Sequence, residues 1–419
     1  MLSPTDHCII VGAGHAAAQL CASLRQHGWA GRLTLIGDEP VLPYHRPPLS
    51  KTYFKPEDET GDRPKLQWIR PADFYASNHI DRKLGEPVRS IDRDAKTIRV
   101  GNETLSYDTL VLATGSLHRR PPIDGIDHPR VLSLRTAQDA DAIRESLPGA
   151  QHAAVIGAGF IGLEVAAALR KLGLGVTVFE MADRVLARVT GEATSDYYQD
   201  LHRGHGVDLR TNASVSAIQE NDGQLSLISG DGVACEADFV IVGAGAQPNQ
   251  ALALDAGLDC DNGILVDEHN RSTDPSIFSI GDCCNQYHPM YETRLRIESI
   301  QNATDQGKAV AAVLAGKPAP KTGLPWFWSD QYDVKLQIAG LSTGYDRCIP
   351  RGEPRPGSTY SLWYFKGDRL IAVDAMNDPR SYVIASKLIP KGAEPDPGVI
   401  ADPDQDLKPL LTSSKSAAP

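Results

Sequence analysis

Two glycine-rich runs carry the first recognisable chemistry in this chain. One is Gly12-x-Gly14-x-x-Ala17 within CIIVGAGHAAAQLCASLRQHG; the other is Gly157-x-Gly159-x-x-Gly162 within AAVIGAGFIGLEVAAALRKLG. In such a run the first glycine permits a tight turn and the second lets the backbone approach a pyrophosphate. A small third residue lets the following helix pack close to the strand. The free N–H groups and positive dipole end of that helix then face the phosphates. Each run sits between two strand patterns; of the second strands, RLTLIGDE ends in Asp38 and Glu39, with Asp38 the chosen acid, and VTVFE ends at Glu180. An acid there accepts ribose hydroxyls. At Glu180 it also repels a 2′-phosphate, favouring NADH over NADPH, a preference that nearby Arg184 weakens. A single run can be no more than a helix packed on a strand. Two runs in the same strand-turn-helix-strand order imply two dinucleotides, one that stays (FAD) and one that comes and goes (NADH).

Residues 45–54 read HRPPLSKTYF, with a lysine and no cysteine. By type alone, Lys51 is a surface lysine at a helix start and Glu164 a solvated charge on a helix face. Pro47 and Pro48 fix φ and bias the residue before each toward extended backbone, which positions Arg46 and Lys51. Three further strand patterns end in turns: TLVLATGS at Ala113-Thr114-Gly115, DFVIVGAGAQPN at a turn containing Gly245, and SIFSIGDCC at Gly281-Asp282. In PWFWSDQYDVKLQ, Trp326 and Trp328 alternate, so a strand places both on one side. They are either core packing or an exposed aromatic pair.

These residues need about three domains to position them, taking 419 residues at roughly 150 per domain. Forty-two Lys+Arg against 53 Asp+Glu leave a formal charge of −11, which argues against nucleic acid or an anionic membrane as partner. No apolar run approaches the roughly 20 residues of a membrane span. The N-terminus lacks a basic region ahead of a signal-type core. Seven scattered cysteines without C-x-x-C argue against a disulfide framework or zinc site and for a reducing cytoplasm. The twelve histidines are dispersed, and Asp282-Cys283-Cys284 lacks partners at ligand spacing, so no metal is expected. Cys283 and Cys284 read as core thiols below a helix start, with reactive thiols beside a flavin as the alternative.

The series GAGHAA, RPPLSK, ATG, GAGFIGLE, GAGAQPN and GD, followed by WFWSDQYDVKLQIAG, resembles the FAD-dependent pyridine nucleotide-disulfide oxidoreductases. Within them it is similar to the ferredoxin reductases that serve bacterial cytochromes P450 and Rieske dioxygenases, from about residue 7 to about residue 410. The resemblance implies an α/β fold with two Rossmann-like, glutathione reductase-like dinucleotide-binding domains and a C-terminal α/β domain. FAD is then held by a split domain, 1–115 and 247–322, with an NAD domain inserted at 116–246. The C-terminal domain follows at 323–410, and 411–419 is a disordered tail.

The same resemblance implies FAD contacts at Gly12, Gly14, Ala16, Ala17, Asp38, Arg46, Lys51, Val88, Ala113, Thr114, Gly115, Arg135, Asp282, Ile300 and Trp328. Asp282 is expected near the ribityl chain, at the N-terminal end of a following helix. NAD contacts are implied at Gly157, Gly159, Ile161, Gly162, Glu164, Glu180 and Gly245. In the disulfide reductases of the superfamily a C-x4-C pair takes electrons from the flavin; here HRPPLSKTYF stands in its place. Reduced flavin must then hand its electrons outward. Lys51 is implied at the flavin N5 edge, paired with Glu164 as the catalytic couple. Trp326 and Trp328 are implied at the flavin edge and the docking surface for a [2Fe-2S] ferredoxin. By charge alone, Arg294, Arg296 and Lys321 are candidates for steering an acidic ferredoxin. The expected activity is NADH-dependent ferredoxin reduction by a monomer or weak homodimer, without nucleic acid or membrane partners. A rubredoxin reductase differs only in acceptor. An NADH-switched interaction protein resembling apoptosis-inducing factor is disfavoured by the charge.

Overall fold

The computed structural model describes residues 3, 5–55, 63–230, 232–355, 357–413 and 415–416. The described residues pack into two units, those within 1–46, 66–117 and 246–323 in one and those within 47–65, 118–245 and 324–419 in the other.

The first unit is built on a parallel sheet in the order Ile277–Ser279, Thr109–Leu112, His7–Val11, Arg32–Gly37, Ile80–Leu84. His7–Val11 is central and buried along its whole length. That is why HCIIV reads as an apolar run rather than an alternation. The chain runs outward from this strand to Arg32–Gly37 on one side and later returns to Thr109–Leu112 on the other. The strand order therefore reverses beside the carboxyl end of His7–Val11, the place where open α/β sheets bind ligands. Helix His15–Gln26 follows directly and packs against helix Ile300–Leu314. The two backbones come so close that a Cβ added at Gly307 would lie 2.8 Å from the Ala16 carbonyl oxygen. Leu20, Leu24, Leu33, Leu35, Val111 and Phe278 fill the space between helices and sheet. Each such buried side chain contributes about 1.5–3 kcal/mol.

The second unit repeats the plan. Its parallel sheet runs Asp208–Arg210, Gly175–Phe179, His152–Ile156, Phe239–Val242, Val131–Ser133, and helix Phe160–Lys171 follows the central strand. The reversal here falls beside the carboxyl end of His152–Ile156. The same unit holds a five-stranded antiparallel sheet in the order Trp326–Gln331, Val334–Gly340, Arg369–Met376, Tyr360–Lys366, Arg347–Gly352, with helix Pro379–Leu388 against it. The α/β class with two Rossmann-like sheets and a C-terminal sheet-and-helix layer is thus what the chain adopts.

Residues 411–419, expected to be disordered, include the end of a short helix, Leu410–Ser413, and Lys415–Ser416 pairing with Ala393–Glu394. Residues 414 and 417–419 lie outside the described residues. Among the described residues no helix is long and apolar enough to cross a membrane.

Candidate functional site

In the first unit the turn after His7–Val11 needs its glycine. Gly12 has φ +105°, its N–H donates to the Ile36 carbonyl at 2.8 Å, and an added Cβ would sit 2.1 Å from the Ala113 carbonyl oxygen. Gly14 caps the helix without a side-chain bond, no acid lies in the first turn, and nothing stands within 4 Å of an added Cβ. A free helix N-terminus beside open space suits a pyrophosphate. The Ala113-Thr114-Gly115 turn is held by Thr114 Oγ1 donating to the Asn249 carbonyl at 2.6 Å and by Gly115 at φ +69°. Ala17 is buried in the helix, and Ala16 faces Gly281, whose added Cβ would be 3.4 Å from the Ala16 Cβ.

That contact brings Asp282 to the same edge, where its Oδ2 accepts from Ser116 Oγ at 3.1 Å. The expected following helix is absent. Asp282 lies in a 3₁₀ turn, Gly281–Cys283, that runs straight into strand Cys284–His288. The helix meeting this turn, Ile300–Leu314, comes later in sequence and holds it through Gln306 Oε1, which accepts the Gly281 N–H at 2.7 Å. Ile300 opens that helix after its Ser299 cap. Cys283 and Cys284 are both buried, as core thiols are, and burial pushes the Cys284 thiol well up. Val88 begins strand Val88–Asp92, and the Arg135 N–H donates to Asp139 Oδ2 ahead of the Thr136 cap.

The acid after the second strand differs between the units. Gly12 donates to Ile36 and Gly157 to Phe179, so the position matching Glu180 is Gly37, not Asp38. No side chain fits at Gly37, because an added Cβ would meet the Ala13 Cβ at 2.7 Å. The first unit's acid is therefore displaced along the chain. Asp38 is exposed and accepts the Glu39 N–H. Glu39 is half-buried and accepts from Arg46 Nη2 at 2.7 Å and from the Tyr44 hydroxyl at 2.6 Å.

In the second unit Gly157 has φ +102° and an added Cβ would lie 2.5 Å from the Gly243 carbonyl oxygen. At Gly162 the clash would be with the Gly157 carbonyl oxygen at 2.0 Å, while Gly159 faces open space. Glu180 accepts the Ala158 N–H at 2.7 Å and the Ala182 N–H at 2.8 Å, which fixes its carboxylate beside the turn. Ile161, in the first turn of the following helix, and Met181, next to Glu180 in the chain, are 45% and 77% exposed. Arg184 does not reach toward this edge. Its guanidinium donates to the Ala187 and Thr190 carbonyls and to Ser195 Oγ, so it braces its own loop and gives no reason for a weakened NADH preference. Arg188 is the arginine beside Gly245, its Nη2 3.1 Å from an added Cβ. Nothing local in the sequence marks Met181 or Arg188.

Lys51 sits between two 3₁₀ turns, Pro47–Ser50 and Thr52–Phe54. The Tyr53 hydroxyl donates to Asp141 Oδ1 at 3.0 Å and the Arg144 guanidinium lies over the Tyr53 ring, anchoring the segment. Glu164 is only 4% exposed rather than solvated. Its Oε2 accepts from Lys51 Nζ at 2.5 Å and from Ser50 Oγ at 2.5 Å, and its Oε1 accepts from Ser329 Oγ at 2.7 Å. A carboxylate this buried is tolerable because a cation and two hydroxyls satisfy it. Ser50 and Ser329 escape a sequence reading. Ser329 follows Trp328 on strand Trp326–Gln331, where the two indoles share a face with centroids 5.3 Å apart. Arg294 Nη1 donates to the Val266 and Asn285 carbonyls, and Arg296 bonds Asn262, Asp282 and Glu298. Among the described residues no cluster of His, Cys, Asp or Glu is arranged to hold a metal.

Paired glycine turns at two sheet reversals, each under an uncapped helix end, define a protein built for two dinucleotides. Residues 6–307 match the family described as pyridine nucleotide-disulphide oxidoreductase, and residues 326–411 match the reductase C-terminal family. The chain belongs to the pyridine nucleotide-disulphide oxidoreductase family, and its cofactors are FAD and NAD(H). It is 42% identical to rhodocoxin reductase of Rhodococcus erythropolis, over 97% of this chain and 95% of that one. It is 38% identical to putidaredoxin reductase of Pseudomonas putida, over 99% of both. Among solved structures, the ferredoxin reductase for the CYP199A2 system of Rhodopseudomonas palustris superposes with a TM-score of 0.92 at 39% identity, covering 97% of this chain and 100% of that one. The covalent putidaredoxin reductase-putidaredoxin complex gives the same score and identity, with coverage of 98% and 99%.

Proposed function

We propose that this protein is an NADH-dependent ferredoxin reductase whose electron acceptor is a [2Fe-2S] ferredoxin. The observation that carries the reading is the pairing of Glu164 with Lys51, which lies in a segment, residues 45–54, that contains no cysteine. FAD supplies the conversion between a hydride, which delivers two electrons, and a cluster that takes them singly. The residues do the rest. Glu164 orients the Lys51 ammonium; with the cofactors bound, Lys51 would supply a cation toward the flavin and Glu164 an acceptor for the nicotinamide carboxamide. Relatives named as ferredoxin reductases, and one solved as a complex with its ferredoxin, support this acceptor. A rubredoxin reductase at 36% identity keeps a rubredoxin as the second reading.

FAD is assigned to Gly12, Gly14, Ala16, Ala17, Asp38, Arg46, Lys51, Val88, Ala113 to Gly115, Arg135, Asp282, Ile300 and Trp328. NAD is assigned to Gly157, Gly159, Ile161, Gly162, Glu164, Glu180 and Gly245. The functional division is 1–115 with 247–322 for FAD, 116–246 for NAD and 323–410 for the C-terminal domain. The ferredoxin docks near Trp326 and Trp328, and the enzyme works in the cytoplasm as a monomer or weak homodimer.

The test is direct. Purified yellow protein should reduce a [2Fe-2S] ferredoxin with NADH far faster than it reduces oxygen. A rate no better with ferredoxin than with buffer would defeat the proposal, and a rate higher with rubredoxin would favour the second reading. Replacing Glu180 by Gln should lower the ratio of kcat/KM for NADH over NADPH by about tenfold, since one anion no longer opposes the 2′-phosphate. An unchanged ratio would remove Glu180 from cofactor choice.

A further inference from the structure

Glu164 does not end its interactions at Ser329. Gln331, two residues on along the same strand and fully buried, donates through Nε2 to Ser329 Oγ at 3.1 Å. With its amide N–H directed there, its carbonyl oxygen faces His202 Nε2 at 2.7 Å and must accept from it. His202 is fully buried on helix Glu192–Gly204, and burial lowers its pKa to about 4. The neutral ring with Nε2–H leaves Nδ1 as an acceptor, and the Tyr332 hydroxyl stands 3.4 Å from it. Every donor in the series points one way: His202 to Gln331, Gln331 to Ser329, Ser329 to Glu164. An amide in the middle does not pass protons along readily, so the series fixes orientation rather than conducting.

The same strand turn holds the far end of the helix that carries Glu164. Lys171 Nζ, in the last turn of Phe160–Lys171, donates to the Tyr332 carbonyl at 2.8 Å, and the Tyr332 ring stacks on His205 with centroids 3.6 Å apart. Glu164 in the second turn and Lys171 at the end are thus both tied to one hairpin, Trp326–Gln331 with Val334–Gly340.

We infer that Ser329, Gln331 and His202 form a one-directional hydrogen-bond relay that positions Glu164, occupying Oε1 so that Oε2 stays on Lys51 and Ser50. They are positioning residues for hydride transfer, and the inference rests on the Lys51–Glu164 reading above. An alternating Ser-x-Gln on a strand buried on that face is its sequence signature; the partners at 164 and 202 come only from folding.

The test uses the FAD-loaded protein with Ser329→Ala, Gln331→Met and Glu164→Gln, plus the double variant Ser329→Ala/Glu164→Gln. Stopped-flow mixing with NADH gives the limiting rate of flavin bleaching and the apparent Kd. Acetylation of Lys51 by acetic anhydride, followed by peptide mass spectrometry, reports how firmly the ammonium is held without any turnover. Ser329→Ala should cut the limiting rate about tenfold, the usual consequence of removing one hydrogen bond to a charged group, with Kd within about twofold. It should also raise Lys51 acetylation several-fold, and Gln331→Met should do both to a lesser degree. The double variant should be no slower than Glu164→Gln alone, because both act through one carboxylate. If Glu164→Gln slows bleaching while Ser329→Ala and Gln331→Met match wild type in rate and acetylation, the relay is overturned and the ion pair stands. If Glu164→Gln itself bleaches at the wild-type rate, the ion-pair reading falls and the relay falls with it. Should Ser329→Ala fail to fold, Gln331→Met decides the question by the same two readouts.

Discussion

A Gly162→Ala variant is expected to keep its yellow colour and lose its response to NADH. The added Cβ would lie 2.0 Å from the Gly157 carbonyl oxygen, far inside contact distance, and neither atom can yield cheaply. Gly157 is itself pinned by its N–H bond to Phe179 at 2.7 Å and by a positive φ. The helix start must therefore move outward, and with it the N–H groups offered to the NAD pyrophosphate. A displacement of about 1 Å in a positioned group costs about a hundredfold in rate. The FAD assignment rests on the other glycine turn, so dithionite should still bleach the flavin at the wild-type rate. The measurement compares NADH and dithionite bleaching in one preparation. Equal sensitivity of both to the substitution would mean general misfolding; normal NADH bleaching would remove the second glycine run from the NAD site.

Lys51→Ala should slow NADH-driven bleaching by about a hundredfold, the range seen when one preorganised charge-stabilising group is removed. It should also cost stability. Glu164 keeps its buried carboxylate but loses its cation, and stranding one member of a buried pair costs about 3–5 kcal/mol, less here because Lys51 is 19% exposed. The double variant Lys51→Ala/Glu164→Gln separates the two effects. It should recover most of the lost melting temperature, since no stranded charge remains, yet bleach no faster than Lys51→Ala. A double variant that regains the rate as well would show the lysine to be a structural counter-ion only.

The contrast between Asp38 and Glu180 shows how far spacing carries a reading. Both follow a glycine run by a similar distance, yet the backbone register puts Gly37 opposite Glu180 and slides the first acid along the chain. Local pattern reports that an acid is near; it cannot report which residue the turn leaves room for. Arg184 and Asp282 make the same point. The arginine is near Glu180 in sequence but spends its guanidinium on its own loop. The aspartate's turn is met by a helix that begins eighteen residues later, Ile300–Leu314.

What could be known before folding was the pair of strand-turn-helix units, their glycines and the missing dithiol. All of these are features of short segments, where steric limits at a turn and the periodicity of strand and helix leave little choice. What required the folded chain was the surroundings of Glu164. Its partners come from 114 and 165 residues away, and His202, which bonds the Gln331 that donates to Ser329, carries no mark of its own in the sequence. A helix-face acid looks solvated until packing removes the water around it, and only then do Ser50, Lys51 and Ser329 become necessary.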